Sequence, residues 1–364
     1  MIKLSKSFVG NAEIKEVTKV LKKGFLGMGT KTHHFESILS GYFNRHVACV
    51  ANGTAAIQLA LQAHDIKKGD EVIVSTLTFV ATFQAISALG AKPVPCDIDN
   101  EDLTITSNFI EKKITKKTKA IIPVHFGGHV GKLSEIYQIA KRYNLIVIED
   151  AAHAFGSVYK RKLIGSFGDT VCFSFDGIKN LTSGEGGCIV SKDKQFINRI
   201  KAIRKLSLVE SKNHIHNFDV FEQGWRYHMS DIMAAVGIAQ FRRFENMKKK
   251  RQELAKRYDL YLSNNSKIKV YKRNYDEIVP HIYLIKLKQA DKANNLRKEL
   301  LKKQIETGLH YFPSHLYSFY KSHKNILKNA ESIYKYHITL PLHPNLTFKN
   351  IENISQKLLN ILNK

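Results

Sequence analysis

Apolar residues follow two rhythms that alternate along the first two thirds of the chain. Residues 47–50, 71–75, 93–97, 119–124, 145–149, 170–175 and 187–190 are short, nearly continuous apolar runs, the pattern of strands buried on both faces. Between them, residues 12–23, 52–63, 79–89, 107–114 and 132–142 read as helices. In the first helix Ile14, Val17, Val20 and Leu21 share one face, and Gly24 supplies the stop. Buried strands alternating with helices predict an α/β fold, a three-layer αβα large domain around a mostly parallel sheet. Residues 224–241 then enter a long helix that continues through a basic stretch to about residue 262. That helix is expected to lead into a smaller α+β C-terminal domain with a strand at 281–287 and helices near 294–303 and from 350. The expected division is 1–240 and 241–364, with the N-terminal segment 1–25 packing on the smaller domain.

In an open parallel sheet a ligand sits beyond the carboxyl ends of the strands. Phe79, His125, Asp150 and Ser174 all fall at or just after such ends. Lys179 follows Ser174 in a turn that Gly177 and Gly184 leave free. A carboxylate at one strand end and a lysine just past another are what a pyridoxal phosphate enzyme needs. The lysine amine forms the Schiff base, and the acid keeps the pyridine nitrogen protonated so that the ring can accept electrons. A buried acid such as Asp150 is costly unless paired, although it could also cap the segment that follows. Gly53 and Thr54, at the mouth of helix 52–63, offer N–H donors and a positive dipole end to a phosphate, and the Ser174 hydroxyl adds another donor. Plain N-capping by Asn52 or Thr54 would explain the same residues. Phe79 is placed to stack on a planar ring. His153 is placed to reach a ring hydroxyl. A core phenylalanine and a satisfied structural histidine are the plainer readings of these two.

Several segments together point further: NGTAAIQLAL (52–61), GDEVIVSTLTFVAT (69–82), GAKPVPCDID (90–99), TKAIIPVHFGG (118–128), IEDAAHAFGS (148–157), GSFGDTVCFSFDGIKNLTSGEGG (165–187), HYFPSH and LPLHP. With them the chain resembles, nearly end to end, the DegT/DnrJ-type nucleotide-sugar aminotransferases, pyridoxal phosphate enzymes of the aspartate aminotransferase fold (fold type I). The resemblance implies Lys179 as Schiff-base lysine and proton shuttle and Asp150 as partner of the pyridine nitrogen. It puts Ser174, Gly53 and Thr54 at the phosphate, Phe79 on the ring, and His153 where the family has Gln or His beside the cofactor. It also implies a homodimer with shared active sites, in which a GxNxRM segment of the neighbouring subunit supplies an asparagine to the phosphate. Here that segment is GWRYHM (224–229), with Arg226 in the asparagine place and His228 in the arginine place. An arginine can hold a phosphate through two parallel hydrogen bonds.

The implied reaction moves an amino group from L-glutamate to a keto sugar carried on a nucleoside diphosphate, for surface polysaccharide, O-antigen or related amino-sugar biosynthesis. The GEGG at 184–187 is similar to members that aminate C4 of 4-keto-6-deoxy sugars; amination at C3 is the alternative. Members that dehydrate sugars have histidine in place of the lysine, so Lys179 argues against that reaction. Lys179, Asp150 and Ser174 together argue against a non-catalytic regulator.

Composition changes this picture little. The net charge is +25, but the lysines are spread along the chain, and clusters such as Lys112-Lys113, Lys116-Lys117 and 248–251 are expected on helix or turn surfaces. No helix-turn-helix or zinc knuckle supports a nucleic-acid partner. His125 and His129 have the i, i+4 spacing of a zinc pair, but the FGG between them is not helical, so no metal is expected. Segment 24–32 nearly matches a phosphate-binding P-loop, yet Thr30 separates Gly29 from Lys31 and no strand precedes it. It reads as a flexible loop near the site. The four cysteines are far apart without a CxxC pair, as expected of buried, reduced thiols. With no secretory leader and no run approaching about 18 apolar residues, a cytoplasmic protein without a membrane partner is expected.

Overall fold

The computed structural model describes residues 1–211, 217–289, 291–321 and 326–363. Residues 212–216 of the charged stretch 192–223 lie outside the described residues. The first strands are β1 (His46–Val50), β2 (Glu71–Ser75), β3 (Lys92–Cys96), β4 (Thr118–Ile122) and β5 (Ile146–Asp150). A short hairpin of β6 (Val158–Tyr159) and β7 (Lys162–Leu163) precedes β8 (Thr170–Ser174) and β9 (Gly187–Ser191). Seven of these form one sheet in the order β1-β9-β8-β5-β4-β2-β3. Pairs from β3 to β8 are parallel, and β9 runs antiparallel to both β8 and β1. Every residue of β2, β8 and β9 is buried, as their continuous apolar runs require.

Helices α1 (Asn11–Lys23), α2 (Thr30–Phe43) and α3 (Gly53–Ala63) open the chain. On one face of the sheet, Ala56, Leu59 and Ala60 of α3 share a core with Ile189, Cys172 and Ile200. On the other, Phe35, Leu39 and Phe43 of α2 meet Phe173, Val190 and Ile238. Each such large side chain contributes about 1.5–3 kcal/mol through burial. Phe35, Ile38, Leu39, Tyr42 and Phe43 of α2 keep helical spacing, and two polar residues share its core face. The Thr32 hydroxyl donates to Asp231 at 2.9 Å, and Glu36 accepts from the Cys49 amide at 2.9 Å while pairing with Arg204.

The single helix expected up to residue 262 is two, Asp231–Arg242 and Phe244–Leu262. Ser230 caps the first by accepting from the Met233 amide, and residues before it are extended, with bridges Lys205↔Arg226 and Val50↔His228. Arg243 separates the two helices, and its guanidinium turns to Glu13 at 3.2 Å. After the ribbon of β10 (Leu208–Glu210) and β11 (Phe218–Val220), the strands β12 (Ile268–Val270), β13 (Tyr283–Leu287) and β14 (His337–Leu340) form a separate antiparallel sheet. Its core joins Tyr283, Ile285 and Ile338 to Leu254 and Tyr258 of helix Phe244–Leu262 and to Ile354 and Leu358 of helix Phe348–Leu362. The N-terminus divides between the two sheets. Ile2 bridges to Ile305, whereas Glu16 of α1 pairs with Arg242. No described helix is long and apolar enough to cross a membrane.

Candidate active site

A cavity of about 530 Å³ opens along the carboxyl edge of the seven-stranded sheet. Its walls gather Gly53, Thr54, Phe79, Asp150, His153, Ser174 and Lys179, residues from four separate strand ends and the loops after them. The topology causes this. Antiparallel β9 lies between β1 and β8, so Asn52-Gly53 at the end of β1 and Ser174 at the end of β8 meet across the start of β9. Asp150 ends β5, the next strand along.

At one end of the cavity Asn52 caps α3 by accepting from the Ala55 amide at 2.8 Å. The first-turn amides of Gly53 and Thr54 have no acceptor within the helix, as at any helix start. A Cβ on Gly53 would lie 2.8 Å from Ser174 Cβ, so only glycine permits this approach. Ser174 Oγ accepts from the Asp176 amide at 3.4 Å, which leaves its own proton to donate. Three donors at a positive helix end make a cradle for a dianion.

At the other end the Asp150 carboxylate accepts from Thr82 Oγ1 at 2.7 Å and from the Ala152 amide at 3.2 Å. Burial pushes this carboxyl above its ordinary value, against the pull of Thr82, the Ala152 amide and Lys179. Lys179 faces the same space, and its amine has no hydrogen-bond or ion-pair partner among the described residues. Burial lowers its amine to about 8, and Asp150 and Asp176 limit the drop. Phe79 lines the cavity and is 57% exposed, which leaves its ring open to lie against a planar ligand.

The loop carrying Lys179 is tied to distant parts of the chain. Ser7 Oγ donates to the Gly177 carbonyl at 2.6 Å, and Asn180 Nδ2 donates to the carbonyls of His153 and Val279. Arg251 donates to the carbonyls of Ile178, His281 and Leu342. This corrects the expectation that 248–251 is a surface cluster: Arg251 is 3% exposed, and burial alone lowers its guanidinium to about 10. A solvated basic run and a buried clamp look alike in sequence, because the carbonyls that Arg251 serves are 30 to 91 residues away.

Thr82, His310 and Tyr311 complete the walls. Thr82 was missed, although it stands one helical turn after Phe79. His310 Nδ1 lies 2.9 Å from Thr339 Oγ1, and burial beside Lys179 lowers its imidazole to about 4. His315 sits beneath the wall, held by Thr76 and Glu331. Loop 24–29 is not part of the cavity, and the Gly29 and Lys31 amides pin it to the Asp231 carboxylate. His125 and His129 turn to different acids, Glu149 and Asp102. Arg226 is exposed and lies outside this chain's own cavity.

A helix-end cradle closed to any Cβ, a buried carboxylate, an amine without a partner among the described residues and an exposed aromatic face, all on the walls of one cavity, together define a fold type I site for pyridoxal 5′-phosphate. The comparisons give the family. The family model for the DegT/DnrJ/EryC1/StrS aminotransferases matches residues 8–359, and the chain belongs to that family. It is 39% identical over 318 residues to GDP-perosamine synthase of Escherichia coli O157:H7, covering 86% of this chain and 85% of that one. It is 35% identical over 376 residues to UDP-4-amino-4,6-dideoxy-N-acetyl-beta-L-altrosamine transaminase of Campylobacter jejuni, covering 100% and 98%. A putative sugar aminotransferase of Streptococcus pneumoniae, solved in its PMP form, superposes with a TM-score of 0.93 at 29% identity over 99% of both chains. That protein is also solved in a PLP form. The chain is therefore a PLP-dependent aminotransferase of this family.

Proposed function

We propose that this enzyme transfers the amino group of L-glutamate to C4 of a 4-keto-6-deoxyhexose carried on a nucleoside diphosphate, in the making of a surface polysaccharide. The observation that carries the reading is the convergence of Lys179, Asp150 and the Gly53–Ser174 cradle in one cavity. The C4 preference is supported by the GEGG loop at 184–187 and by the 4-amino sugar in the name of the Campylobacter relative. When bound, the cofactor withdraws electrons from the carbon that carries the transferred nitrogen and so makes the proton on that carbon acidic.

This chain's residues do the rest. The amides of Gly53 and Thr54 and the Ser174 hydroxyl hold the phosphate. Asp150, oriented by Thr82, keeps a negative charge against the ring nitrogen. Phe79 covers one ring face and excludes water. Lys179 Nζ is the base. With a value near 8, a useful fraction of the amine is neutral close to pH 7, and it can take up the proton and return it.

The same proposal includes a homodimer in which Arg226 of one copy reaches the phosphate of the other. The exposure of Arg226, together with the exposed apolar ribbon beside it (Leu208, Phe218 and Val220), supports this. It also includes the division of the chain near residue 240, which the separate core of β12–β14 supports. The test is to incubate the purified enzyme with L-glutamate and a panel of keto sugars on UDP, dTDP and GDP. Formation of 2-oxoglutarate is followed, and the product is assigned by NMR. A 4-amino sugar is expected. Nitrogen at C3, or no turnover with any 4-keto substrate, overturns the assignment.

A further inference from the structure

Hydrogen-bond direction around His153 separates two residues that position alone would group together. The ring is buried and fixed. His281 lies against it at 4.3 Å between centroids, Phe126 flanks it at 6.1 Å, and Asn180 holds its backbone carbonyl. Nδ1 lies 3.2 Å from the Gly127 amide, and Nε2 lies 3.1 Å from Tyr311 Oη. A backbone N–H can only donate, so Nδ1 accepts and carries no proton. Burial, with Lys179 and His310 nearby, keeps this imidazole neutral. A neutral imidazole has one N–H, which must then be on Nε2. His153 therefore donates to the Tyr311 oxygen, and the hydrogen of Tyr311 must go elsewhere. Among the described residues Tyr311 Oη has no second partner, and the residue lines the cavity with Lys179 and Asp150.

We propose that Tyr311 is the hydrogen-bond donor to an oxygen of the molecule bound beside Lys179, and that His153, with both ring nitrogens already engaged, acts as a positioning residue that aims Tyr311. The inference rests on the site reading given above, and it replaces the expectation that His153 itself reaches the cofactor. The recognised chemistry is a carbonyl or phenolate oxygen next to the nitrogen being transferred. Such an oxygen is present on the cofactor ring and on the keto substrate.

The tautomer is read first, by ¹⁵N-histidine NMR of the full-length, cofactor-stripped protein, with His153→Gln assigning the resonance. An Nε2–H signal is expected; an Nδ1–H tautomer or an imidazolium overturns the proposal. Tyr311→Phe then tests the donor. Loss of one such bond is worth about tenfold. It appears as a shift of about one pH unit in the visible-band titration if the cofactor oxygen is the acceptor. It appears as a tenfold fall in kcat/KM for the keto substrate if the substrate oxygen is. No change in either overturns the proposal.

His153→Gln keeps both an acceptor and a donor and is expected to lose less than His153→Leu. His153→Leu should reproduce Tyr311→Phe and add nothing in that background. A further tenfold loss there would show His153 touching the ligand directly. If His153→Leu does not fold, the tautomer and Tyr311→Phe still decide. The tautomer measurement needs no bound cofactor. An unmodified protein that never develops a visible band would sink the site reading instead.

Discussion

Replacing Lys179 with methionine should make the cofactor-free protein more stable while abolishing transfer. Methionine nearly matches the lysine stem in volume and removes the amine. Burial moves the amine from its ordinary 10.5 to about 8. At about 1.4 kcal/mol per tenfold change, that difference is about 3 kcal/mol as an upper limit, and water in the open cavity reduces it. Below pH 8 the lysine is protonated in both the folded and the unfolded protein, so the whole penalty acts against folding. Between pH 8 and 10.5 the folded protein has lost the proton and the unfolded chain has not, so the penalty disappears as pH rises. Urea midpoints of the two stripped proteins, measured in parallel from pH 6.5 to 10.5, check this directly. The variant should exceed the unmodified protein by about 1–3 kcal/mol at the acidic end, with the gap closing through the upper half of the range. All other lysines and tyrosines titrate alike in both proteins. Equal midpoints at low pH, or a gap that does not change with pH, would refute the claim that burial holds a destabilised amine at this position.

Gly53→Ala should weaken cofactor binding at least tenfold, read by equilibrium dialysis, because the new Cβ would lie 2.8 Å from Ser174 Cβ in the cradle. Arg251→Met should cost about 2–3 kcal/mol in denaturant unfolding, since it strips donors from the buried carbonyls of His281 and Leu342 and from Ile178 in the lysine loop. Arg226→Ala should weaken cofactor retention. Mixing it with Lys179→Ala should restore some activity, because one of the two shared sites in a mixed dimer is then intact; mixtures as inactive as either parent would contradict the dimer reading.

Much of the large sheet was legible because its strands are buried on both faces and carry unbroken apolar runs; the bounds of β2 were read to the residue. The strand-end rule put Phe79, His125, Asp150 and Ser174 on one edge; Phe79, Asp150 and Ser174 line the cavity, whereas His125 turns to Glu149. What escaped depends on partners far away in the chain. The burial of Glu36 and Thr32 on helix α2 answers to Arg204 and Asp231. The break at Arg243 answers to Glu13, and the burial of Arg251 answers to carbonyls in three other segments. The division of labour between His153 and Tyr311 rests on a single amide, that of Gly127, whose direction no residue pattern encodes.

The central claim is that one lysine among the 57 basic lysine and arginine residues of this chain carries the cofactor. Borohydride treatment of the PLP-loaded enzyme, followed by peptide mass mapping, tests it most directly. A single phosphopyridoxyl label on Lys179, absent from Lys179→Met, is the result expected. A label on another lysine, or a protein that takes up no label, would contradict the account.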